Sequence, residues 1–172
     1  MISFLKNLFK PTPPNAAKAW QQAGNQAGSD YWLYATPVHL VLQRDSFSLA
    51  APVPLVLEVH EVDAFTQSLN SHFSADGMQF FWHGNQWFLS LQHNPHINTV
   101  NPQKAINQNI AAFMPTGAGA MAWASFQNEL QMLLFEHPVN MAREAIKLPA
   151  MNSIWCHGGG QIVQNEIKSH AN

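Results

Sequence analysis

His137-Pro138-Val139-Asn140 leads into Arg143-Glu144, and Asn152-Ser153-Ile154-Trp155-Cys156-His157 runs into Gly158-Gly159-Gly160. One short region of the chain thus carries an imidazole, an amide, a guanidinium and bare backbone N–H groups. Together these can recognise an anion. A guanidinium meets a carboxylate or phosphate in two-point geometry, and the first turn of a helix offers unsatisfied N–H groups at a positive dipole end. Pro138 disfavours helical dihedrals at His137, so the preceding helix is expected to stop there, and Asn140 can cap the helix that restarts. Two readings follow. In one, Arg143, His137 and Asn140, helped by N–H groups near Gly158, Gly159 and Gly160, take a small phosphorylated or carboxylate ligand. In the other, the same residues form a helix–turn–helix corner, with His137 bonded to backbone and Arg143 paired with Glu136 or Glu144.

Other constellations assign no catalytic residue. His157-Gly158-Gly159-Gly160 is similar to the oxyanion-hole strand of esterases, but that motif works with a Gly-x-Ser-x-Gly elbow, and the chain contains none. Cys156 and His157 are neighbours on a strand-like run, so they face opposite sides and make a poor nucleophile–base pair. The glycines are expected to serve close backbone packing. Nine histidines are scattered along the chain, and His93-x-x-His96 is the one close pair. Two ligands do not make a catalytic site, so no metal and no cofactor is assigned.

Composition narrows the function classes. The chain has 172 residues, enough for one domain with its own core, with 47% hydrophobic and only 10% charged residues. Net charge is −2, with two arginines, Arg44 and Arg143, so nucleic acid is not an expected partner. Cys156 is the lone cysteine, which excludes an internal disulfide framework. No apolar run reaches the roughly 20 residues needed to span a bilayer, and Met1–Lys10 lacks a cleavage pattern, so the expected location is the cytoplasm. Tryptophan and phenylalanine are plentiful but not interleaved with basic residues, which points to core packing rather than base stacking.

The elements that must hold these groups can be read from periodicity. Ile2, Leu5, Leu8 and Phe9 share a helical face flanked by Lys6 and Lys10, and Pro11, Pro13 and Pro14 end it. This N-terminal amphipathic arm, with a short helix or linker up to residue 29, can fray, pack on its own domain, contact a membrane through residues 2–10 or dock on a protein partner. The domain is expected over 30–172. Residues 31–35 are strand-like, and the runs at 38–43 and 46–50 flank Arg44-Asp45 as a hairpin. Val62, Phe65, Leu69 and Phe73 predict a helix over 59–73. Residues 78–82 and 86–91 predict a second hairpin around His83-Gly84-Asn85. Residues 104–114 read as a helix. Residues 120–136 read as a longer one, with Met121, Phe126, Leu130, Leu133 and Leu134 on its apolar face. The expected class is α+β: an antiparallel sheet from two hairpins plus a C-terminal strand, with helices packed on one face.

Several blocks also carry a family resemblance. They are Pro37-Val38-His39-Leu40 with Arg44-Asp45, Gln131-Met132-Leu133-Leu134, His137-Pro138-Val139-Asn140, Arg143-Glu144, and Asn152-Ser153-Ile154-Trp155 with Gly158-Gly159-Gly160. Over Tyr31 to Gly160 the chain resembles bacterial RpfE-type regulatory proteins, also described as predicted cofactor-independent phosphoglycerate mutases. The C-terminal blocks are similar to a stretch in the accessory domain of archaeal-type phosphoglycerate mutases. The resemblance therefore implies a regulatory or binding domain, with His137, Asn140, Arg143, Asn152, Trp155 and the three glycines as its candidate binding residues. The mutase reaction itself needs a two-metal core of Asp and His and a Ser or Thr nucleophile. This chain has four Asp, none after Gly160, so a non-catalytic role is expected. The alternative is a phosphoglycerate mutase or related phosphotransferase acting with a partner chain.

Overall fold

Tyr31–Leu42 forms β1, the strand on which the sheet is built. Its side chains alternate: Leu33 and Ala35 enter one hydrophobic cluster, while Trp32, Val38 and Leu40 enter clusters on the opposite face. The computed structural model describes residues 13–163. The segment 2–10 singled out in the sequence lies outside the described residues.

β1 has three antiparallel partners. Its end pairs with β2 (Phe47–Ala50), closing the first hairpin. Its start pairs with β4 (Gln86–Leu91), which pairs in turn with β3 (Met78–His83) across the Gly84-Asn85 turn. Along Tyr31–Val38 it also pairs with the C-terminal strand β5 (Ser153–Gln161). The expected α+β class, with two hairpins and a C-terminal strand in one antiparallel sheet, is what forms.

Two long helices cover one face. α2 (Val59–Phe73) buries Val62, Phe65, Thr66, Leu69 and Phe73, and α3 (Ala120–Phe135) buries Trp123, Phe126, Gln127, Leu130 and Leu134. With Leu33, Phe80, Trp87, Leu89, Met151 and Ile154 they make the main core. Each large apolar side chain fully buried there contributes about 1.5–3 kcal/mol. Met121 does not join this face; it is 85% exposed. It stands two residues from Trp123, about 200° around a helix of 3.6 residues per turn.

The other face is covered differently. α1 (Ala16–Gln22) precedes β1, and its Ala16, Ala17 and Trp20 are buried with Trp32 and Phe88. The Trp20 and Trp32 rings stack at 5.0 Å. Packing against the sheet therefore begins ahead of the expected boundary at residue 30. Residues 104–114 do not form the expected helix. A 3-10 turn, Pro102–Lys104, ends where they begin, and a second, Ile110–Phe113, lies within them. Between the turns, the backbone bonds β2 instead of itself: Asn107 N–H donates to Leu49 O (2.8 Å) and Leu49 N–H to Gln108 O (3.4 Å). Asn107 has φ 59°, which a helix does not allow. None of the described helices is long and apolar enough to cross a membrane.

β5 leaves its regular ladder at the glycines. His157 pairs with Tyr34 and Gly160 with Trp32, so Gly158 and Gly159 together face Leu33 in a β-bulge. Gly158 has φ +62°, and a Cβ there would lie 2.6 Å from the Tyr34 ring. Gly84, at the hairpin turn, has φ +60° with open space around it. Gly84→Ala is expected to cost about 1–2 kcal/mol, the left-handed backbone cost alone. Gly158→Ala should cost clearly more in the same urea titration, because the ring must also move. Equal losses would contradict the packing role given to Gly158.

Candidate functional site

The corner after α3 is built from local chain chemistry. α3 stops at Phe135, and α4 (Pro138–Ala145) restarts with Pro138 in its first turn. Proline fits there because its missing N–H would be unsatisfied in any case. The cap is His137 rather than Asn140: His137 Nδ1 accepts from Val139 N–H at 3.2 Å. With Nδ1 accepting, the ring's proton sits on Nε2 and donates to Ser68 Oγ at 2.9 Å. The ring lies 4.5 Å from that of Phe65. Burial holds the His137 pKa below the usual histidine range, so the ring is neutral at pH 7.

Asn140 turns inward and is 2% exposed. Its amide N–H groups donate to Leu134 O (2.8 Å) and Met151 O (2.9 Å), and its Oδ1 accepts from Met151 N–H (2.8 Å). Asn152 repeats the two-point pattern on β1, accepting from Leu40 N–H (2.7 Å) and donating to Leu40 O (2.8 Å). This extends the β5 ladder by one side chain. Trp155 Nε1 donates to Val100 O at 2.8 Å.

Arg143 is 5% exposed, and all three of its nitrogens are engaged. Nε donates to Pro149 O (2.8 Å), Nη1 to Glu61 Oε2 (2.7 Å) and Nη2 to Val56 O (3.2 Å). Its acidic partner is thus Glu61, 82 residues away in sequence, and not Glu136 or Glu144. The same Glu61 oxygen accepts from Glu58 N–H at 2.8 Å, as in a capping box at the start of α2. Burial pushes the Glu61 carboxyl up, but the Glu58 N–H, the Arg143 hydrogen bond and the Arg143 charge together outweigh it, and its pKa lies below the ordinary value.

Asn140 and Arg143 thus both bond the segment 149–151, while His137 bonds Ser68 and Asn152 bonds Leu40, so all four side chains are engaged within the protein. Gly158 to Gly160 lie apart from them, packed against Tyr34, Tyr31 and Asn15. A phosphate taking two-point contact with Arg143 would compete with a carbonyl or the Glu61 carboxylate for the same nitrogens. Cys156 and His157 do face opposite sides: Cys156 lies in the main core, while His157 meets Tyr34 and Thr36. Burial pushes the Cys156 thiol up to about 12 and the His157 ring down to about 4. Among the described residues, no group of three His, Cys, Asp or Glu side chains is placed to hold a metal ion.

What faces solvent at this corner is a cleft of about 560 Å³. Glu61 and Arg143 lie in its wall, and Val56, Ile146 and Leu148 line it at 70%, 69% and 44% exposure. Sequence reading missed this cleft and Glu61's part in it. The available signal was Glu61 three residues after Glu58 at the predicted helix start, which marks a cap but names no arginine.

Two outcomes test this geometry. Arg143→Met leaves a buried carboxylate alone, and Glu61→Gln a buried guanidinium; each is expected to cost about 3–5 kcal/mol by urea unfolding. The double variant should lose much less than the sum, and additivity would contradict the pair. Acid should destabilise through the buried histidines. Above the ordinary histidine pKa of about 6.5 both states are neutral. As pH falls from there to about 4, the unfolded chain takes up a proton that folded His157 refuses, so stability falls. His157→Gln should flatten the melting temperature across that window.

No family model and no curated protein matches this sequence. Among solved structures, the fold is similar to that of a cofactor-independent phosphoglycerate mutase from Thermoplasma acidophilum DSM 1728, with a TM-score of 0.56 and 14% identity. The match covers 78% of this chain and 38% of that one, so this chain spans well under half the length of the mutase.

Proposed function

We propose that this chain is a non-catalytic binding module of the regulatory kind, akin to an accessory domain of a phosphoglycerate mutase. The carrying observation is that every nitrogen of Arg143 already holds a partner within the protein. A buried guanidinium whose three nitrogens already hold Glu61, Val56 O and Pro149 O braces the protein rather than waiting for a phosphate. The fold likeness to part of a phosphoglycerate mutase supports the accessory assignment, and the sequence resemblance to RpfE-type proteins supports the regulatory one. The working surface in this reading is the apolar-edged cleft beside α4, which suits a protein partner in the cytoplasm. Its Val56, Ile146 and Leu148 can be covered without disturbing the ion pair beneath.

A second reading, a phosphoglycerate mutase or related phosphotransferase completed by a partner chain, rests on the same fold likeness. One experiment bears on both, with the melting temperature as the readout that separates them, because the second reading needs a partner chain for turnover. The purified chain is incubated with 3-phosphoglycerate and Mg²⁺ or Mn²⁺, and both 2-phosphoglycerate formation and the melting temperature are followed. The binding-module reading predicts no conversion above the blank and no saturable rise in melting temperature. Conversion by the chain, or a saturable rise that Arg143→Lys abolishes, would overturn it and favour the second reading.

A further inference from the structure

Trp82 and Trp87 stand opposite each other across β3 and β4, and both line a cleft of about 300 Å³. The cleft opens between the hairpin turn at Gly84-Asn85 and residues 54–59, which lead into α2. A buried indole N–H normally finds an acceptor. Trp20, Trp32 and Trp155 obey this rule, each donating Nε1–H to a backbone carbonyl. Trp87 is 5% exposed, yet its Nε1–H has no partner among the described residues. Trp123 shares that lack, but its nitrogen is sealed from solvent, whereas the nitrogen of Trp87 is not. The small part of Trp87 that solvent reaches therefore includes its donor. Trp82, half-buried beside it, also has an Nε1–H without a partner that solvent can reach.

The rest of the lining restricts what can fill the cleft. No charged side chain lines it, and Pro37, Pro54, Leu55, Leu57 and Val59 make an apolar wall. Two carbonyls on that wall are already taken, Pro37 O by Leu55 N–H (2.9 Å) and Val56 O by Arg143 Nη2 (3.2 Å). Asn85, exposed at the turn, is the one side-chain acceptor on the lining. A matching occupant is uncharged, rich in acceptors and poor in donors. An ordinary peptide brings one N–H with every carbonyl, and each N–H buried without an acceptor is unfavourable. A run of prolines brings carbonyls alone, on a backbone already fixed in the extended polyproline helix. Its rings also pack well in grooves lined by aromatic side chains.

From this complementarity we propose that the cleft binds a proline-rich segment of a partner protein in the polyproline conformation. Its carbonyls accept from the Nε1–H groups of Trp87 and Trp82, and its rings pack between the indoles and the wall at 54–59. The chain's own Pro14 is engaged elsewhere, its carbonyl held by Tyr34 Oη–H. The proposal does not depend on the reading of the Arg143 corner, because neither tryptophan lines the cleft beside α4.

The test is ¹⁵N–¹H NMR of the indole groups of the full chain, assigned by Trp→Phe variants. The protein is titrated with an end-blocked hexaproline and with an end-blocked hexaalanine, which has the same carbonyls together with N–H donors. The Trp87 and Trp82 signals are expected to shift saturably with hexaproline, while that of the sealed Trp123 stays in place. Hexaalanine should bind about tenfold more weakly or worse. Trp87→Phe keeps an aromatic ring and removes the donor, and should weaken hexaproline about tenfold. Because Trp87 is a core residue, Val59→Glu serves as the second variant, read from the Trp87 signal. Val59 is 62% exposed in the first turn of α2, where the helix dipole favours a carboxylate. The melting temperature should hold, while a charge on the cleft wall removes hexaproline binding. Four results would each overturn the proposal. They are no saturable shift of Trp87, equal affinity for hexaalanine, wild-type affinity in Val59→Glu, and the same Trp87 shift on concentrating the protein alone, which would give the cleft to a second copy.

Discussion

The bond between Arg143 and Glu61 is the constraint on which the corner depends. One carboxylate oxygen closes the first turn of α2 and holds a guanidinium delivered by α4. The other guanidinium nitrogens bind the carbonyls of Val56 and Pro149, so the segments entering α2 and leaving α4 are fixed by the same group. Two charges removed from water in this way are costly unless they are paired and hydrogen-bonded, and here two backbone carbonyls support the pair. Arg143 sits where a ligand-binding arginine would sit, but its geometry is that of a brace. The apolar cleft above it is a consequence: Ile146 and Leu148 follow directly from the helix that delivers the guanidinium.

A chain with few charges must hold its irregular segments by other means, and this one uses amides. Asn140 pairs with both backbone groups of Met151, Asn152 with both of Leu40, and Asn70 with both of Phe80. In each case a side-chain carboxamide takes the place of a peptide group from a neighbouring strand. Buried backbone groups at an edge or a chain crossing require such partners. This explains why Asn is frequent in a protein with little charged surface. It also explains why the Asn140 and Asn152 blocks read as a binding motif: the same amide chemistry that recognises a ligand here recognises the chain itself.

Elements whose apolar period matched their burial were legible from sequence. Helix α2 was readable from Val62, Phe65, Leu69 and Phe73, and the β3–β4 hairpin from its Gly84-Asn85 turn. Segment 104–114 was not, because its backbone bonds are spent on Leu49, a partner far away in sequence. The same limit applies at the corner. His137, Asn140 and Arg143 were recognisable as a constellation, and the corner formed by a proline restart was foreseen. Glu61 could not be identified as the partner, since nothing local in 58–62 encodes a contact across 82 residues. Sequence could show which groups were present, but only the fold shows that they are consumed. The unmatched Nε1 of Trp123 was hidden for the same reason: a tryptophan in a helical apolar stripe looks like any other core residue.

The central claim is that Arg143 is an internal brace, and the direct test is to observe its guanidinium. Because the chain has only two arginines, selective ¹⁵N-arginine labelling gives two Nε–H signals to distinguish, Arg44 and Arg143. The account predicts one Nε–H signal, removed by Arg143→Lys, that is protected from solvent exchange at neutral pH and does not move when 3-phosphoglycerate is added. A rapidly exchanging Arg143 signal, or one that shifts saturably with the ligand, would contradict it and return Arg143 to the role of an anion receptor.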